Sequence, residues 1–138
     1  MTWVVMKRVL IVDDVAEIRR LIRLAIGHHC VYESASAEEA QQVLSDAGGV
    51  DLLVLDIMLP GTLDGLGLLA MVRAHPRWAA TKVVMLTARG SAEDRAATAA
   101  LRADAYFTKP FSPMALNDCI DVLLSESGVG TAGTPPFH

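Results

Sequence analysis

Cysteine is scarce in this chain: two among 138 residues, Cys30 and Cys119, with no spacing that would set them up as paired ligands. A disulfide framework and a cysteine-based zinc module are excluded, and both side chains read as buried free thiols of a reducing compartment. Aromatic residues are also few, at 5%, and Trp3 and Trp78 are too isolated to make a nucleic-acid stacking surface. There is no basic excess either. Twelve Lys and Arg against 16 Asp and Glu leave a net charge of −4, with no basic cluster, which argues against direct nucleic-acid binding. No stretch approaches the roughly 20 apolar residues of a membrane span. The first eight residues lack a basic region ahead of a long apolar run, so no secretion signal is expected. The reading is a cytoplasmic protein that does not touch membrane.

What is present is a core. At 52% hydrophobic and 20% charged residues, the chain fits one globular domain that buries roughly 68–70% of its unfolded surface. The run Leu52-Leu53-Val54-Leu55 leads into Asp56, then Ile57-Met58-Leu59-Pro60. An apolar run without alternation reads as a strand buried on both faces of a parallel sheet, and Asp56 would close it. Similar short runs are Val9 to Val12, Val83 to Leu86 and Ala105 to Thr108, with a more polar edge strand at Cys30 to Glu33.

Helical patterns fill the gaps between them. Ile18, Leu21, Ile22, Ala25 and Ile26 recur at helical spacing from Val15 to about His28. Ser36-Ala37-Glu38-Glu39 and Ser91-Ala92-Glu93-Asp94 are capping signatures; they open helices over Ala37 to Ala47 and to about Arg102. Gly48-Gly49 ends the former. A third helix spans Asp64 to Ala74, and Ser112-Pro113 starts a last one that runs to about Ser125. Five strands alternating with five helices imply an α/β fold, a parallel sheet covered on both faces. Residues 1–6 read as an N-terminal extension, 7–125 as the domain, and 126–138 as a flexible tail rich in Gly, Thr and Pro.

The residues just past the strands carry the chemistry. Asp13, Asp14, Asp56, Thr87 and Lys109 would all lie along one edge of the sheet, where open α/β folds bind ligands. Each has a plain structural reading: a helix cap, a turn residue, a solvated surface charge. Together they make three carboxylates, a hydroxyl and an ammonium in one crevice. Clustered carboxylates need a cation, and oxygen ligands with room for water suit Mg²⁺. A carboxylate is also a nucleophile, and Mg²⁺ with a lysine neutralises the charge of a transferred phosphoryl group. The chemistry indicated is phosphoryl transfer onto Asp56.

The segments VLIVDD, LLVLDIMLPG, VVMLTA and AYFTKPF, in that order and spacing, resemble those of the response-regulator receiver domain, the acceptor half of two-component signalling. The resemblance covers about Lys7 to Ser125, and the chain is similar to the stand-alone chemotaxis type. It implies a flavodoxin-like, doubly wound sheet of order 2-1-3-4-5. It makes Asp56 the phosphoacceptor, Asp14 a direct Mg²⁺ ligand and Asp13 a mostly water-mediated one, with Met58 adding its backbone carbonyl. Lys109 would contact the phosphoryl group, its bond to Pro110 usually being cis. Thr87 and Tyr106 resemble the paired switch residues, with the Tyr106 ring moving inward on phosphorylation. Ile18, Leu21 and Pro110 would help dock the phosphodonor.

The partners implied are a histidine kinase or histidine phosphotransfer protein and a downstream protein target that the sequence does not name. A monomer or weak dimer is expected, and catalysis limited to the chain's own phosphorylation and dephosphorylation. An aspartyl-phosphate enzyme of the haloacid-dehalogenase type would want a second Asp two residues after the nucleophile, where Met58 stands.

Two positions depart from the family pattern. Gly65 lies one residue further from Asp56 than is usual, and Arg102 stands where glycine often ends the fourth helix. One further signal is His28-His29-Cys30. Three consecutive residues at a helix-to-strand junction do not easily face one ion and no partner pair is visible, so the helix dipole is the simpler account of the histidines.

Overall fold

The computed structural model describes residues 6–88 and 90–125. Most of the expected extension, residues 1–5, and the expected tail, residues 126–138, lie outside the described residues. The elements alternate as β1 (Arg8–Val12), α1 (Ala16–Ile26), β2 (Cys30–Ser34), α2 (Ala37–Ala47), β3 (Leu52–Asp56), α3 (Gly65–Ala74), β4 (Lys82–Thr87), α4 (Ala92–Ala100), β5 (Ala105–Thr108) and α5 (Pro113–Ser125). All strand pairs are parallel, in the order β2-β1-β3-β4-β5. This is the flavodoxin-like architecture, with β3 central and every one of its residues buried.

Because side chains alternate across a strand, the sheet splits its apolar residues between two faces. Val9, Ile11, Leu52, Val54, Val84, Leu86, Ala105 and Phe107 pack with Ile22 and Ile26 of α1 and with Leu116, Ile120 and Leu123 of α5. Leu10, Val12, Leu53, Leu55, Val83, Met85 and Tyr106 pack with Ala40 and Leu44 of α2 and with Leu68, Leu69 and Val72 of α3. Uninterrupted apolar runs are what a sheet covered on both sides requires. Full burial of each such Leu or Ile contributes about 1.5–3 kcal/mol. The edge strand β2 is the polar one, and Glu33 on it accepts from Arg19 at 3.1 Å and Arg23 at 2.7 Å.

Four helices begin where the sequence marks them. Ser36, Asp64, Ser91 and Ser112 each accept, through the side chain, from the backbone N–H three residues on. The box at Ser36 is displaced by one residue, since Glu39 reaches back to the N–H of Ala35. The exception is α1. Its N-cap is Val15, with no side-chain cap, so neither Asp13 nor Asp14 caps that helix.

Helix α1 stops at Ile26, short of the expected His28, and α4 stops at Ala100 rather than Arg102. Arg102 takes a left-handed conformation, φ 62°, the position where the family often has glycine. That costs an L-residue about 1–2 kcal/mol. The turn is held because Arg73 donates to the Arg102 carbonyl at 2.9 and 3.3 Å and to Asp104 at 3.2 Å. The longer loop after β3 closes on Gly65, whose N–H donates to the Ile57 carbonyl at 2.8 Å. A Cβ at Gly65 would collide with the Asp56 carbonyl, so the loop ends on the one residue that lets helix and strand approach.

Candidate functional site

The carboxyl ends of β1 and β3 bring Asp13, Asp14 and Asp56 together, with carboxylate oxygens within 4.8 Å of one another. Asp13 and Asp56 are buried, at 1% and 4% exposure, whereas Asp14 is open to solvent. Lys109, just past β5, reaches across the sheet edge. Its Nζ donates to Asp13 Oδ2 at 2.7 Å and to Asp56 Oδ2 at 3.0 Å. The second oxygen of each buried carboxylate accepts a backbone N–H: Asp13 Oδ1 from Val15 at 2.9 Å and Asp56 Oδ1 from Met58 at 3.1 Å. Both carboxylates are thus fixed in orientation, and Asp14 is the one turned outward.

Electrostatics follow from that crowding. Burial raises the Asp56 carboxyl above the usual carboxylate range and the neighbouring Asp13 raises it further, while Lys109 and the Met58 N–H oppose both. Burial by itself would lower the Lys109 ammonium, but hydrogen bonds to Asp13 and Asp56 outweigh it and hold the group above its ordinary value. Lys109 therefore stays charged. Three carboxylates against one ammonium leave an excess of negative charge in a pocket built of oxygen donors.

Thr87 ends β4 and is fully buried, and its carbonyl accepts from the Lys109 N–H at 2.8 Å. The Lys109–Pro110 peptide is cis. Met58 has a half-exposed side chain beside the acidic pocket. The Tyr106 ring is fully buried in the core, the inward position expected of the phosphorylated form, and the Arg95 guanidinium from α4 lies over it at 5.0 Å. Arg95 was not legible beforehand, since no spacing in the sequence pairs it with β5.

The apolar arc of α1 is wider than its buried stripe. Ile22 and Ile26 are buried and Ile18 is half-buried, but Leu21 is 39% and Leu24 75% exposed. Ala25, Ser112, Pro113, Met114 and Asn117 line a shallow groove between α1 and α5, and Pro110 is exposed in a neighbouring pocket that shares Ser112 with it. Leu24 and Met114 are further exposed apolar side chains on these two helices beyond the expected Ile18 and Leu21. Both cysteines are free; Cys119 is buried as expected, but Cys30 is only half-buried, because it sits on the edge strand.

The family model of the response regulator receiver domain matches residues 9–121. The phosphate regulon transcriptional regulatory protein PhoB of Pseudomonas aeruginosa is 36% identical over 132 residues, 94% of this chain and 56% of that protein. The transcriptional regulatory protein TrcR of Mycobacterium tuberculosis is 41% identical over 107 residues, 76% of this chain and 40% of that protein. The chain spans about half the length of these curated relatives. Among solved structures, a CheY-like response regulator receiver domain protein from Methanospirillum hungatei superposes with a TM-score of 0.79. It is 31% identical and covers 88% of this chain and 96% of that one. With the family's strand order and five helices present and the match running over nearly the whole described domain, the chain belongs to the response regulator receiver family of two-component signalling.

Proposed function

We propose that Asp56 accepts a phosphoryl group from a phosphohistidine donor, a histidine kinase or a histidine phosphotransfer protein, and that the domain signals through α4, β5 and α5. The carrying observation is Lys109 Nζ bridging Asp13 and Asp56 at the carboxyl edge of the sheet. In the transfer, a carboxylate oxygen of Asp56 forms the new bond to phosphorus. The phosphorus–nitrogen bond to the donor imidazole breaks, and its electron pair stays on that ring. Lys109 supports the negative charge spread over the transferred oxygens, and the Thr87 hydroxyl is the donor on the neighbouring strand end.

The excess of oxygen donors fits Mg²⁺, which Asp14, Asp13, Asp56 and the Met58 carbonyl would hold. When bound it supplies neutralisation of the phosphoryl charge. Apart from its own phosphorylation and hydrolysis of its own aspartyl phosphate the domain turns nothing over, and Met58, where a dehalogenase-type enzyme would carry a general acid, supports that reading. The exposed side chains Leu21, Leu24, Met114 and Pro110 support docking of an amphipathic donor helix across α1 and the start of α5.

Phosphate would favour the arrangement in which the Tyr106 ring is inside. A hydroxyl at Thr87 drawn towards the phosphoryl oxygens biases an existing equilibrium, which needs a few kcal/mol of differential affinity. We place the domain in the cytoplasm as a monomer or weak dimer. No described helix is long and apolar enough to cross a membrane.

The test is Mg²⁺-dependent uptake from acetyl phosphate. Asp14→Ala should abolish the dependence, and Glu17→Ala, an exposed residue on α1, should leave it intact. Unchanged Mg²⁺ dependence in Asp14→Ala would remove the proposed ligand set.

A further inference from the structure

A second cluster of ligand-type side chains lies at the opposite edge of the sheet. His28 and His29 follow α1 in the turn that leads to Cys30, which pairs with Arg8 at the start of β1, far from Asp13 and Asp56 at the strand ends. Helix α5 begins near the acidic pocket and runs back, so Asp121 in its second half returns to that turn. Both imidazoles converge on it. His28 Nε2 and His29 Nε2 each lie 3.1 Å from Asp121 Oδ1, and the two rings stand 4.1 Å apart, tilted by 44°. The partner that the sequence did not reveal is a single carboxylate more than 90 residues away.

We propose that His28, His29 and Asp121 form a binding site for a borderline divalent ion, Zn²⁺ or Ni²⁺, which ties the α1–β2 turn to α5. Three protein ligands and a water are a common open set for Zn²⁺. Bonds of about 2.0–2.2 Å in a tetrahedron put ligand atoms roughly 3.3–3.5 Å apart, so the observed 3.1 Å separations need only a small opening. Exposure favours entry. His28 and Asp121 are 41% and 45% open to solvent, whereas His29 is 6% exposed and held by its packing. The ligand chemistry keeps the two ends of the domain apart: imidazole nitrogen suits Zn²⁺ and Ni²⁺, and the all-oxygen pocket at Asp56 suits Mg²⁺.

One contact opposes binding. His29 Nδ1 accepts from the Lys7 N–H at 3.3 Å, which leaves the hydrogen of the neutral ring on Nε2, facing Asp121. An ion on Nε2 moves that hydrogen to Nδ1 and breaks the Lys7 contact, the longest in the cluster. Hydrogen bonding to Asp121 is the competing use of these side chains, and titration separates the two.

The experiment is calorimetric titration of the full chain with ZnCl₂ in excess Mg²⁺, followed by NMR of the histidine rings. Expected are one bound equivalent, shifted His28 and His29 ring signals, unmoved His75 and His138 signals, and a raised melting temperature. His28→Gln and Asp121→Asn should each weaken binding by about tenfold or more, and the metal-dependent rise in melting temperature should vanish with it. His28→Gln alters an exposed turn, so it serves as the variant least able to disturb the fold. No binding, binding of equal strength in both variants, or binding that excess Mg²⁺ displaces would overturn the proposal.

Discussion

The Arg95 guanidinium lies 5.0 Å from the centroid of the Tyr106 ring, so a surface cation on α4 closes over a fully buried side chain of β5. A contact of this kind is worth about 0.5–1 kcal/mol at an exposed site. Among the described residues, those that α4 buries are Asp94 and Thr98 rather than large apolar ones. An element with so little apolar burial belongs to the low-stability end of a domain, which is where a switch must be.

Thr87→Ala should still bind beryllofluoride, a phosphoryl mimic, but should lose most of the NMR shift changes at α4 and α5. Arg95→Ala should retain uptake at Asp56 while the α4 signals shift before any phosphate is added. If Thr87→Ala responds at α4 as fully as the parent protein, Thr87 does not couple the site to that helix.

Asp56 sets a stability dependence on pH. Its carboxyl is raised above the ordinary 3.8, chiefly by burial and then by Asp13, so the folded state binds that proton more tightly than the unfolded chain. Ionising it therefore removes stability, starting near pH 3.8 and complete once the pH exceeds the raised folded value. In Mg²⁺-free buffer Asp56→Asn should melt higher than the parent at pH 7, and the gap should close as the pH falls towards 3.8 and below. Thermal scans across that range check it. A gap that widened at low pH would have the wrong sign.

Gly65 is constrained by space rather than by backbone angle. A methyl group there meets the Asp56 carbonyl and the Ile57 backbone, both part of the segment that aims the phosphoacceptor. Gly65→Ala should cost about 1–3 kcal/mol by overpacking and slow phosphorylation from acetyl phosphate. Urea unfolding and a phosphorylation time course report the two effects separately.

The fold and the acidic pocket were legible because they depend on local signals. Leu52 to Leu55 has no polar alternation, which only a doubly covered strand tolerates, and serine caps mark three helix starts within a residue. Parallel alternation then puts every strand end on one edge, which is why Asp13, Asp56 and Lys109 could be grouped before their distances were known. What stayed hidden were pairings between elements distant in sequence. Arg95 over Tyr106, Arg73 on the Arg102 carbonyl and two histidines on Asp121 depend on helix rotation and on where α5 ends. The early stop of α4 was foreshadowed by Arg102, but not the left-handed turn that Arg73 stabilises.

The most direct test of the central claim is intact-mass measurement after incubation with acetyl phosphate and Mg²⁺. The parent protein should gain the mass of one phosphoryl group, and Asp56→Asn, which keeps the shape of the side chain but loses the nucleophilic carboxylate, should gain none. An equal gain in Asp56→Asn would place the phosphoryl group elsewhere and contradict the account.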